Sequence, residues 1–236
     1  MSAENGTRLN EWFVPKFGPT RFRIFVGLLF LPYTGMCVSF VIIGSMFATE
    51  IAWDRVGSIT LIYLLALGIS AHIADNLGSK QTKPWGNYFT KAQLLTMMIA
   101  TLAAAYAIGL YYIVFFVPLL VLIAALEGFF LFAYNYEIFG GLFHNDFWFA
   151  VSWGSLPLLA GYIMQVNSIS VLALMAACLT GLASYTEIRM SRPYKQLKKT
   201  NGNSARARML ENGLKTISVG TIVFALSILA YRIIFS

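Results

Sequence analysis

An all-α, polytopic bundle of about seven membrane-spanning helices is the fold this 236-residue chain predicts, on three observations. First, 58% of the residues are hydrophobic and only 11% are charged, too apolar a balance for a soluble domain. Second, the apolar residues gather into runs at about 24–48, 57–75, 92–110, 112–134, 146–164, 168–187 and 212–234. Most approach the roughly 20 residues a helix needs to cross bilayer hydrocarbon. Third, none of these runs alternates with the two-residue period of a strand, and lipid admits only helices or closed barrels.

Residues 1–23 precede the first run as a separate segment. Its stretch 9–23 (LNEWFVPKFGPTRFR) mixes Trp, Phe and basic residues, as expected of an amphipathic segment lying in the headgroup layer. The bundle proper is then 24–236. The first apolar run is too long for the core of a cleavable signal peptide and reads as a span. Pro32, Pro118 and Pro157 fall inside spans and predict kinks. Cys37 and Cys178 also fall inside spans, so neither reads as a disulfide or a metal ligand. The longer connections are 76–91, 135–145 and 188–211.

Basic residues orient the bundle. Arg8, Lys16, Arg21 and Arg23 precede the first span; Lys80, Lys83 and Lys91 lie between the second and third. Arg189, Arg192, Lys195, Lys198, Lys199, Arg206 and Arg208 lie between the sixth and seventh, whereas the opposite side shows only Arg55 and Arg232. The expectation is an integral protein of a cytoplasmic or inner membrane, amino terminus cytoplasmic and carboxyl terminus outside. The net charge of +7 is then mostly a cytoplasmic fringe facing anionic headgroups. No nucleic-acid module appears, so nucleic acid is not an expected partner.

The ionisable residues cluster at that same side. His72 and Asp75 stand three apart on one helical face at the end of the second run. Asn135, Glu137, His144 and Asp146 surround the Gly140-Gly141 turn in a stretch without Lys or Arg from 92 to 188, which calls for a counter-cation from another loop or a metal. Asn145 or Asp146 also suits an N-cap. Glu187 and Arg189 close the sixth run, with Glu187 placed to pair with Arg192 or a Lys, or to face the cavity of Asp75. Glu127 lies seven residues inside the fourth run, where a carboxylate costs roughly 2.5–3.5 kcal/mol and must face the interior.

The stretches SAHIADNLGSK and HNDFWFAVSWGSLPLLAGYIMQVNSIS through LASYTEIRMSRPYKQLKK resemble the UbiA-type intramembrane prenyltransferases. That family has two four-helix halves, each with an acidic motif after its second helix. The resemblance covers residues 20–236 in layout and those stretches in wording. It implies that Asp75 matches an acid of the first motif, with His72 where Asn or Asp stands and Ser79 where a later Asp stands. Glu187 matches the first acid of the second motif, and Ser191 replaces the second.

By that resemblance, Asp75, Glu187 and His72 are the catalytic candidates. Asp75, Glu137, His144, Asp146 and Glu187 are the candidate ligands of Mg2+. Lys80, Lys83, Asn135, Arg189 and Arg192 are the candidates to bind the substrate, a lipid or isoprenyl diphosphate at the cytoplasmic face. The expected function is prenyltransferase-type. The alternative is a non-catalytic lipid-binding or assembly subunit of a membrane complex, for which the thinned acidic motifs argue. A transporter using Glu127 and Asp75 as a relay is a third reading. A retinal protein is excluded, because the last span has no mid-span lysine.

Overall fold

The computed structural model describes residues 9–78, 88–200 and 204–235. Among the described residues every regular element is helical. A short α1 (Thr20–Leu28) meets α2 (Leu31–Ser45) at a bend of 47°. Next comes one continuous rod of α3 (Trp53–Tyr63), a π segment (Leu64–Ala71) and α4 (His72–Gly78). Long α5 (Lys91–Phe115) and shorter α6 (Leu120–Asn135) follow. A second broken rod joins α7 (Asp146–Ala150), a π segment (Val151–Ser155) and α8 (Leu156–Val166). The chain closes with α9 (Val171–Thr200) and α10 (Ala205–Phe235).

Five of these helices are long and apolar enough to cross a membrane, and six if α1 and α2 count as one span; α6, at 16 residues, is shorter. At 1.5 Å per residue α6 reaches only about 24 Å against roughly 30 Å of hydrocarbon. The chain is thus built as an integral membrane protein. Large apolar side chains such as Leu110, Val114, Leu179 and Phe224 are exposed on its outer surface, where lipid solvates them.

Local chemistry sets the boundaries. Thr90 accepts a hydrogen bond from the Gln93 amide while the Gln93 side chain accepts one from Thr90, a capping box that starts α5. Of the prolines expected to kink spans, Pro32 stands just past the 47° bend and Pro157 inside the rod Asp146–Val166, so only Pro118 needs correcting. Pro118 lies in the connection between α5 and α6, while Pro32 and Pro157 occupy the first turns of α2 and α8. A missing amide hydrogen costs nothing in a first turn, so these prolines start helices just past a break. The connection once expected at 188–211 is also shorter, because α9 runs on to Thr200 despite Pro193.

The centre of the bundle is a reciprocal crossing of α2 and α8. A Cβ on Gly44 would collide with the Leu158 carbonyl, and one on Gly161 would collide with the Val41 carbonyl. Each glycine thus sits three residues after the residue its counterpart touches, as in a two-fold pair. Backbones this close are possible only without side chains, the usual device for packing helices in lipid. Ser45 adds a hydroxyl donated to the Gly161 carbonyl at 3.2 Å. Both crossing helices follow a break near the same end of the molecule, and the breaks surround the polar residues.

Candidate functional site

Polar residues of α2, α4, α7 and α9 gather at one end of the bundle, here called the basin. α9 supplies its floor through a buried polar stripe. Thr180, Ser184, Glu187 and Ser191 recur at helical spacing and are 8%, 1%, 2% and 2% exposed. The two nearer mid-membrane are satisfied: Thr180 donates to the Gly154 carbonyl at 2.9 Å and Ser184 to the Trp153 carbonyl at 3.3 Å. Glu187 is not. It makes no hydrogen bond among the described residues, although the Lys195 ammonium, two turns further along α9, lies within electrostatic reach.

Asp75 faces the same cation from α4. It is solvent-accessible yet surrounded by protein, with Lys195, His144 and Glu137 within electrostatic reach. It makes no hydrogen bond or ion pair among the described residues. Next to it Asn76 is buried with its Oδ1 unpartnered among those residues. Asp75 and Glu187 thus converge on the field of Lys195, which sequence reasoning placed only in the basic fringe. Lys195 lies 4.8 Å from the Phe30 ring centroid and 5.6 Å from that of Tyr33. Continuing the helical period past Glu187 through Ser191 to Lys195 is the signal that would have found it.

His72 is held by rings. It stacks on Phe30 at 5.5 Å and packs on Trp153 at 4.9 Å, with Nε2 3.3 Å from the Thr34 hydroxyl. The aromatic wall continues from Trp153 to Phe149 at 5.6 Å, to Tyr134 at 5.9 Å and to His144 at 4.5 Å. Phe30, at the break between α1 and α2, has φ +45. That left-handed turn is what delivers its ring onto the imidazole.

The loop after α6 divides its expected ligands. His144 Nδ1 lies 2.9 Å from the Tyr134 carbonyl and donates to it, leaving Nε2 as the acceptor. Glu137 lies at a positive-φ turn, φ +50, within reach of Asp75. Asp146, however, is engaged by Arg192 at 2.9 Å and Arg189 at 3.7 Å. Glu187 therefore does not pair with Arg192, and the counter-cation expected for this loop comes from α9. Asn145, one of the two N-cap candidates, caps α7 by accepting from the Trp148 amide at 3.1 Å. Asn135 spends its amide on the Leu131 carbonyl at 2.7 Å and is buried. Lys80, Lys83 and Ser79 lie outside the described residues. Among the described residues no three His, Cys, Asp or Glu side chains come close enough to hold a metal by themselves.

The donors left over are hard oxygens: two carboxylates without direct partners and an orphaned amide oxygen. Mg2+ is commonly held by one or two carboxylates, its remaining positions filled by water and substrate phosphate. Asp75 and Glu187 supply oxygen donors of that type, one exposed on α4 and one buried on α9. Comparison with protein-family models, curated proteins and solved structures returns no match to this chain.

Proposed function

We propose that this protein is a UbiA-like membrane protein of seven spans, α6 included, that acts on an isoprenyl diphosphate at the end carrying the basin, which the basic residues assign to the cytoplasm. The observation that carries the reading is that Asp75 and Glu187, from different helices, lie in the field of one lysine and make no hydrogen bond among the described residues. For Glu187, which is buried, a carboxylate without a partner is costly unless something binds it. Asp75 and Glu187 would hold Mg2+, which when bound neutralises diphosphate oxygens. Lys195 adds a second positive charge beside them.

The rings suit the other half of such a substrate. An allylic carbon that loses diphosphate develops positive charge, and aromatic faces stabilise a cation within about 6 Å of their centroids. Phe30, Tyr33, Phe149 and Trp153 form such a wall and keep out water. His144, with Nε2 available, is placed to take a proton from an acceptor.

The test is Mg2+-dependent binding of farnesyl diphosphate to the purified protein in nanodiscs, alongside Asp75→Asn/Glu187→Gln. The reading expects saturable binding with Mg2+ and its loss without the metal or in the double variant. Equal binding in all arms would remove it. A second reading, a non-catalytic lipid-binding or assembly subunit, draws on the engagement of Arg189 and Arg192 by Asp146 rather than by an open site. Metal-dependent binding without diphosphate release for any acceptor, with co-purification of a stable partner, would favour it.

A further inference from the structure

We infer a second ligand site, within the apolar depth of the bundle and independent of the basin: a cavity walled by α3, α5 and α6 that takes a lipophilic alcohol, its hydroxyl meeting Glu127. The cavity has a volume of about 70 Å³, is open at its mouth, and lies between Ile59–Leu67, Leu102–Ile113 and Leu120–Leu131, with Ala160 behind them. Its mouth is set by Tyr106 and Leu110, both exposed on the outer surface. The opening therefore faces lipid, not the basin. Asp75 is twelve residues from Tyr63, on the order of 15 Å along the rod.

The wall is apolar but for one acid. Tyr63 donates its hydroxyl to Glu127 Oε1 at 2.9 Å, while Oε2 is buried with no partner among the described residues. A second hydroxyl nearby, that of Tyr106, is spent on the Ala124 carbonyl at 3.0 Å. Glu127 lines the cavity, and the terminal torsion of Glu is soft, so rotation about it can turn a carboxyl oxygen toward the cavity. A carboxyl oxygen left unpaired in hydrocarbon is expensive. A hydroxyl both donates and accepts, so it satisfies the carboxyl in either protonation state, which a bare chain cannot do. The remaining wall of Ile, Leu and Ala fits the chain or rings behind that hydroxyl.

The experiment uses the full chain in phosphatidylcholine nanodiscs. A long-chain primary alcohol with a mid-chain diazirine and the alkane of equal length with the same diazirine are photolysed separately, and the labelled residues are mapped by mass spectrometry. The alcohol is expected to label the three wall segments about tenfold more than the alkane. Glu127→Leu brings the alcohol down to the alkane level. Gly109→Leu blocks both, because a Cβ there meets nothing nearer than Ile62 Cδ1 at 3.9 Å and the side chain grows into the cavity. Equal labelling by the two probes in the wild type overturns the site, whether or not the variants fold. So does alcohol labelling that survives Glu127→Leu or Gly109→Leu in protein that melts as the wild type does.

Discussion

The two ends of this bundle carry similar polar residues and treat them oppositely. At the end away from the basin, side chains close the structure. Gln165 accepts from the Ala52 amide at 2.9 Å and donates to its carbonyl at 3.3 Å. Arg55 donates to the Met164 and Gln165 carbonyls, Arg232 to those of Ala48 and Thr49 at 2.7 and 2.8 Å, and Asn167 accepts from the Leu119 amide. Each group ties two helix ends together by satisfying backbone that the helices leave orphaned. At the basin end Asp75, Glu187 and Asn76 Oδ1 make no hydrogen bond among the described residues. The difference separates architecture from function without recourse to any relative.

Substitutions sharpen that contrast. The largest effect is expected of Asp75→Asn/Glu187→Gln, which should lower Mg2+-dependent affinity for farnesyl diphosphate by about a hundredfold or more, some 2.7 kcal/mol. Its thermal melting temperature should stay level or rise, because no native bond is lost. Lys195→Met should weaken the same binding roughly tenfold and flatten its dependence on salt, as measured by titration at two ionic strengths. At the opposite end the pattern inverts. Gln165→Leu strands the Ala52 amide and carbonyl and should cost about 1–3 kcal/mol of stability while leaving ligand affinity unchanged. Smallest is Lys215→Ala, which removes a half-exposed pair with Glu211 at 2.7 Å and should shift stability by roughly 0.5 kcal/mol or less. A double variant that unfolds, or a Gln165→Leu that abolishes binding, would erase the distinction between the ends.

Much of the helical layout was legible in the runs of apolar residues, because lipid leaves few alternatives for such segments. Both carboxylates of the basin were legible too, since an acid that closes an apolar run stands out. The rest depended on where helices break and continue. Lys195 was hidden because the run of apolar residues stops at Glu187 while the helix does not. Reading 188–211 as a loop scattered its charges, whereas the helix sorts them: Lys195 shares the face of Glu187 and Ser191, and Arg189 and Arg192 share the face that meets Asp146. The π segments before His72 and around Trp153 left no mark in the pattern, yet they precede the residues that line the aromatic wall. Asp146 looked like a ligand for want of any basic residue nearby in sequence; its arginines come from forty-three and forty-six residues further along the chain.

The convergence of Asp75 and Glu187 is tested most directly by cysteine pairing. In protein carrying Cys37→Ala and Cys178→Ala, cysteines placed at 75 and 187 are treated with a flexible bifunctional thiol reagent. A shared basin predicts rapid intramolecular bridging between the two positions. Bridging no faster than that of a pair drawn from opposite ends, such as positions 75 and 165, would contradict it.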